Sequence, residues 1–165
     1  MEKFSVEIYK KERDDDFISS FQKDFVVREA FNLKGLKEIT FNKDSYTGCL
    51  VARTNSKKCE NIDVGFIYFY FCPTDMSVYV SCIGTKAEYR GHGIGSMLLD
   101  EMEIFAKFNW PYQKIYAFTL ENPASEHLFE SAGFSNYGEY QDFVFINGRY
   151  KTQRLYVKLN KKFKL

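Results

Sequence analysis

Apolar positions along the chain alternate between two periods. Phe4, Val6 and Ile8 fall on one face of a stretch from Phe4 to Tyr9, which predicts a first strand. Phe17, Ile18, Phe21 and Phe25 recur at helical spacing behind Asp14, Asp15 and Asp16, one of which is placed to cap the helix. A shorter helix is predicted from Asp24 to Leu33, ending at Gly35. Strands follow over Tyr46–Thr54, Asp63–Cys72 and Ser77–Thr85, separated by a polar turn at Asn55–Asn61 and by Pro73-Thr74-Asp75. The middle strand is apolar throughout, which predicts burial on both faces. A helical run follows from Ser96 to Phe108, with Ile94, Met97, Leu98, Ile104, Phe105 and Phe108 to one side. Lys114–Leu120 is a short strand.

Asn122-Pro123 opens another helix, since Asn is a good cap and Pro suits the first helical position. Ala124, Leu128 and Ala132 are its expected inner stripe, and Gly133 is placed as the glycine just past its end. Gln141–Ile146 and Arg149–Leu159 flank Asn147-Gly148, a hairpin signal. The tail Lys161–Leu165 is expected to fray.

This order predicts an α/β fold of mixed α+β character. Its centre is a mixed, mostly antiparallel sheet of about seven strands, flanked by about four helices. With 165 residues, the chain fits a single domain spanning 1–165.

Lys and Arg total 23 and Asp and Glu 22, so the net charge is +1. That balance excludes strong electrostatic capture of nucleic acid or of an anionic membrane. Cys49, Cys59, Cys72 and Cys82 show no C-x-x-C spacing, and only two His are present, so no metal site is expected. No signal peptide is evident, which favours reduced thiols and a cytoplasmic setting. No apolar run approaches the roughly 20 residues of a membrane helix.

The stretch Arg90-Gly91-His92-Gly93-Ile94-Gly95 joins the strand ending at Thr85 to the helical run beginning near Ser96. Glycine lets the backbone approach a ligand and take positive φ. The first N–H groups of the helix lack intrahelical partners and favour an anion such as a pyrophosphate. The spacing fits neither a dinucleotide fingerprint nor a P-loop. A glycine-rich turn without a ligand is the other reading of the hexapeptide alone.

In register, the stretch gives R-x-x-G-x-G at Arg90, Gly93 and Gly95, which resembles the acetyl-coenzyme A loop of the GNAT superfamily of N-acetyltransferases. Asn122, Ser125, Phe129, Gly133-Phe134 and the Asn147-Gly148 turn follow in the family's order. The resemblance covers roughly Tyr46 to Leu159. It implies acetyl-coenzyme A as co-substrate, no metal, and acetyl transfer to a primary amine of a small molecule or protein by direct attack. It also implies that the backbone of Gly91, His92, Gly93, Ile94, Gly95 and Ser96 cradles the pyrophosphate, with Arg90 adding a charged contact. Ile83, Gly84 and Thr85 would pair with the pantetheine arm, Asn122 would reach that arm or the acceptor side, and Ser125 and Phe129 would belong to the cofactor site, with Phe129 toward the thioester sulfur. Asn122 is equally readable as a plain helix cap.

The chain departs from the family at Phe129, where many members carry a Tyr that protonates the leaving thiolate. Tyr137 and Tyr140 are the weak substitutes, with sheet packing as their other reading. Glu38, Asp63 and Glu88 are carboxylates available as a base, with Asp63 retained as the weak candidate. The catalytic residues therefore stay open, and an ordered water is equally compatible. The alternative function is a GNAT-fold module that binds coenzyme A as a sensor or structural ligand without turnover. Specificity is expected on the loops Phe25–Lys43, Asn55–Asn61 and Ser135–Gln141. A homodimer through aromatic strands near the closing hairpin is compatible with the composition.

Overall fold

The computed structural model describes residues 3–21, 46–55, 61–146 and 148–161. The helix expected over Asp24–Leu33, the loop Phe25–Lys43, Glu38, Cys59 and Asn147 lie outside the described residues, as does the tail beyond Lys161. The elements are β1 (Phe4–Ile8), α1 (Lys11–Phe21), β2 (Thr47–Thr54), β3 (Asp63–Cys72) and β4 (Ser77–Thr85). Then come a 3-10 turn (Ala87–Tyr89), α2 (Ile94–Asn109), β5 (Lys114–Leu120), α3 (Pro123–Ser131), β6 (Ser135–Ile146) and β7 (Arg149–Leu159). The strands form one seven-stranded sheet in the order β1-β2-β3-β4-β5-β7-β6. Every neighbouring pair is antiparallel except β4 and β5. A parallel pair needs a crossover, and α2 supplies it. Among the described residues no helix is long and apolar enough to cross a membrane.

The sheet is covered on both faces. On one, Leu98, Leu99, Met102 and Ala106 of α2 pack on Ile67, Phe69, Val78, Val80, Ile115 and Ala117. On the other, Ile18 of α1 packs on Cys49, Val51, Phe66 and Cys82, with Phe17 and Phe21 partly buried beside it. β3 therefore contributes to both clusters, which is why its sequence is apolar without alternation.

Four local expectations change. α1 begins at Lys11, so the three aspartates lie inside it rather than before it. Asp14 still serves the helix start by accepting the Lys10 backbone N–H at 2.7 Å. In α2, Ile104 and Phe108 are exposed, and the buried stripe is Ile94, Leu98, Leu99, Met102 and Ala106. Trp110, just past the helix, fills the place expected of Phe108 by stacking on Phe71 at 5.7 Å. In α3, Ala124 is exposed and Phe129 is the buried residue. β6 starts at Ser135, ahead of the expected Gln141, and bulges after Asn136 and Tyr140 break the alternation that would have marked its first part.

Candidate functional site

β4 and β5 stay together only from Ser77↔Lys114 to Val80↔Ala117. Beyond that point β4 remains paired with β3 as far as Gly65↔Thr85, and β5 remains paired with β7 as far as Leu120↔Gln153. The two strands thus part, and the sheet opens between them. The cause is local. Tyr68 faces Cys82 while the next residue, Phe69, faces Val80, so Ser81 is an extra residue in β4. Such a bulge bends its strand and increases its twist. Ile83, Gly84 and Thr85 follow the bulge, and their side of β4 has no β5 partner. Gly84 is required by packing, since a Cβ there would lie 2.9 Å from the Phe66 ring and 3.1 Å from that of Phe21.

The opened strand leads into the glycine stretch. Gly91 and Gly93 have φ of 79° and 78°, which explains glycine at both. A Cβ at either would meet nothing within 4 Å, so open space lies beside both glycines. Gly93 is the N-cap of α2 and offers no side-chain cap. The first intrahelical bond is Met97 N–H to the Gly93 carbonyl at 3.0 Å. Ile94, Gly95 and Ser96 therefore present N–H groups without a helical acceptor, an anion-binding arrangement. Gly95 has another purpose: a Cβ there would lie 3.1 Å from Leu128, so α2 and α3 meet closely at this point. Arg90 is exposed, with Nε 3.4 Å from the Thr85 carbonyl. His92 points Nδ1 at the carbonyls of Tyr89 and Arg90, at 3.2 and 3.1 Å, so it acts as a donor that shapes the loop.

Asn122 caps α3: its Oδ1 accepts from the N–H groups of Ala124 at 3.1 Å and Ser125 at 3.3 Å. Ser125 is half-buried. Phe129 is 3 % exposed, with its ring 5.2 Å from Phe134 and 6.0 Å from Tyr156. Tyr137 and Tyr140 are exposed on β6, and Tyr140 touches Phe118 of β5 at 6.2 Å. Asp63 is bound to Arg53 at 2.7 Å. Burial raises its pKa, against the lowering effect of Arg53. It stands five positions along β3 from Tyr68, the residue beside the bulge, about 16 Å away at the rise of a strand.

Several features of the site carry no sequence motif. On the α1 side of the sheet, Tyr79 stacks on Tyr116 at 4.9 Å and contacts Tyr70 at 5.1 Å and Phe118 at 6.1 Å, an aromatic band beside the opening. Burial pushes the pKa of Tyr79 up to about 12. Thr119, on β5 past the parting, is 4 % exposed and its hydroxyl has no hydrogen-bond partner among the described residues. Burial also pushes the Cys82 thiol up to about 12, so this cysteine on β4 holds no thiolate near neutrality. No cluster of metal-ligating side chains occurs among the described residues.

The model of the acetyltransferase (GNAT) family matches residues 7–134. The spermidine N(1)-acetyltransferase of Vibrio cholerae serotype O1 is 33% identical over 72 residues, a stretch that spans 42% of this chain and 42% of that protein. In three dimensions the chain is similar to the Vibrio cholerae spermidine N-acetyltransferase solved with CoA and spermine. The TM-score is 0.79 at 19% identity, covering 96% of both chains. It is also similar to the ribosomal-protein-S5-alanine acetyltransferase of Vibrio fischeri, with TM-score 0.77 at 18% identity, covering 100% of this chain and 97% of that one.

Proposed function

The chain belongs to the acetyltransferase (GNAT) family, and from that premise we propose that it is an acetyl-coenzyme A-dependent N-acetyltransferase acting on a primary amine. The observation that carries the reading is the parting of β4 from β5 at Ser81, which leads directly into the open glycine stretch. Acetyl-coenzyme A supplies an activated acetyl thioester when bound. Its pyrophosphate suits the free N–H groups of Ile94, Gly95 and Ser96, with Arg90 at the rim. The unpaired edge of β4 through Ile83, Gly84 and Thr85 suits a peptide-like arm, because it offers backbone donors and acceptors in strand spacing.

The chain's own groups favour direct attack by the amine. A covalent route would need a thiolate, and the buried Cys82 thiol does not provide one. Phe129 has no proton to give. A thiol of ordinary pKa, about 8.5, leaves without full protonation near neutrality. The aromatic band of Tyr79, Tyr116 and Phe118 suits the acceptor side, since the α2 side is taken by the glycine stretch. Spermidine, the substrate named for the Vibrio cholerae relative, is a first acceptor to try, beside small monoamines and peptide amino termini.

The whole chain, 1–165, is proposed as one domain in a cytoplasmic setting, supported by the free thiols of Cys49, Cys72 and Cys82. Self-association is proposed along the β6 edge, where Phe143, Phe145 and Tyr150 are exposed. The Vibrio cholerae spermidine N-acetyltransferase forms a dodecamer. Thiol release from acetyl-coenzyme A against an amine panel tests the activity. Coenzyme A-dependent thermal stabilisation without thiol release from any amine would replace it with a binding module.

A further inference from the structure

Thr119 holds a hydroxyl in the wrong place for stability. A buried hydroxyl without a partner is destabilising, and native proteins rarely keep one without a reason. Its position supplies the reason. Ile115, Ala117 and Thr119 alternate as the buried residues of β5, and the first two belong to the α2-side core, so Thr119 faces that side. It is two residues past Ala117, the last residue of β5 paired with β4, and so it lines the opening near its closed end. Its β7 neighbour, Arg154, offers no acceptor, and the Arg154 guanidinium is already held by Glu126 at 2.5 Å and Glu139 at 2.6 Å. No acceptor among the described residues takes the hydroxyl, and β4 has already left β5 beside it. The glycine stretch lies at the far end of β4, beyond Thr85. An arm anchored there by its pyrophosphate therefore brings its opposite, thiol-bearing end toward Ser81 and Thr119.

Resting on the acetyltransferase reading, we infer that the Thr119 hydroxyl donates a hydrogen bond to the coenzyme A sulfur and stabilises it as a thiolate. In the transfer the amine nitrogen bonds to the acetyl carbon and the carbon–sulfur bond breaks. The electron pair of that bond goes to sulfur, and the surplus proton of the amine goes to solvent. Thr119 keeps its own proton throughout. The role answers the absence of an acidic hydroxyl at Phe129, on the same side of the sheet. A hydrogen bond to an ion is about twice as strong as a neutral one, so the contact gains most when sulfur is charged.

The test is Thr119→Val, which keeps the shape and removes the hydroxyl, with Thr119→Ser as the variant that restores it. The Val variant should lose about tenfold in kcat with a melting temperature equal to or above that of the native chain, while Ser retains most of the activity. Binding gives a second readout that needs no turnover. At pH 9, coenzyme A with its thiol ionised should bind the native chain at least fivefold tighter than desulfo-coenzyme A, and that preference should vanish in Thr119→Val. A kcat within twofold of native, or a preference that survives in the Val variant, overturns the inference alone. Coenzyme A binding with no thiol release from any amine overturns the acetyltransferase reading and this role with it.

Discussion

Arg53 on β2 and Asp14 on α1 are ion-paired inside the protein, the Asp14 side chain fully buried and that of Arg53 7 % exposed. Arg53 also holds Asp63 of β3 at 2.7 Å and Glu7 of β1 at 3.3 Å. One guanidinium therefore ties α1 to three adjacent strands. α1 in turn presses Phe21 against Phe66, 5.0 Å away, beside Gly84. The cluster lies behind the edge of β4 that faces the opening and fixes its backing.

Arg53→Met should cost about 3–5 kcal/mol, the usual penalty for stranding a buried charge. Arg13, bound to Asp14 at 2.6 Å but one-third exposed, is a partial substitute and keeps the value toward the lower end. Urea unfolding measures the loss. The double variant with Asp14→Leu should lose less than Arg53→Met alone, because the stranded carboxylate is gone.

Gly93→Asp should weaken coenzyme A binding at least tenfold, about 1.4 kcal/mol, by putting a carboxylate beside the anion site. The added Cβ touches nothing, so the fold loses only the cost of positive φ, about 1–2 kcal/mol. Titration calorimetry on the folded variant decides it, with unchanged affinity counting against the pyrophosphate assignment. Gly95→Asp is a poorer probe, since its Cβ meets Leu128.

Cys82→Ala should keep turnover within about threefold while lowering stability by roughly 1 kcal/mol, because a thiol with no thiolate contributes packing and not chemistry. Mass spectrometry after exposure to acetyl-coenzyme A alone should find no acetyl group on this residue. Loss of turnover with intact coenzyme A binding would require a covalent route.

Glu103 makes a pH-dependent contribution. Burial raises its pKa, but Lys158 at 2.6 Å and Lys107 at 3.0 Å outweigh that and hold it below the ordinary value. A carboxylate depressed in the folded state stabilises fully above its unfolded pKa, about 4.3, and that contribution is lost as pH falls through the folded value. Glu103→Gln should therefore cost on the order of 1 kcal/mol at pH 7. The gap from the native chain in urea unfolding should close as pH falls below about 4 for the same reason. A gap that persists there would mean the side chain acts by packing.

Much of this arrangement is legible in the sequence where one local rule acts alone. β3, β4 and β5 fall on the residues their apolar runs mark, and Asn122, Pro123 and Gly133 bound α3 as cap chemistry requires. The opening itself is not legible. Nothing in Ser77–Thr85 announces a bulge, because Ser81 is extra only relative to β3. Thr119 reads as an ordinary strand threonine until its lack of a partner is seen in three dimensions. Phe129 is half legible: its spacing puts it on one helix side with Ser125, but the neighbouring rings of Phe134 and Tyr156 decide its burial. Arg53 did leave a signal, as the lone charge in the buried run of β2.

The extra residue at Ser81 makes the site sensitive to length rather than to chemistry. Substitutions at this position leave the residue count of β4 intact. Deleting it would make Val80 and Cys82 consecutive, opposite the consecutive Phe69 and Tyr68, and so remove the bend and extra twist of the bulge. Cys82 would stay under α1 and Ile83 under α2, because their partners Tyr68 and Ile67 are unchanged. β4 would also regain a regular ladder and could continue alongside β5, sealing the slot. A deep mutational scan should accordingly tolerate most replacements of Ser81 and reject single-residue insertions and deletions throughout 79–85, a pattern inverse to that of an ordinary surface loop.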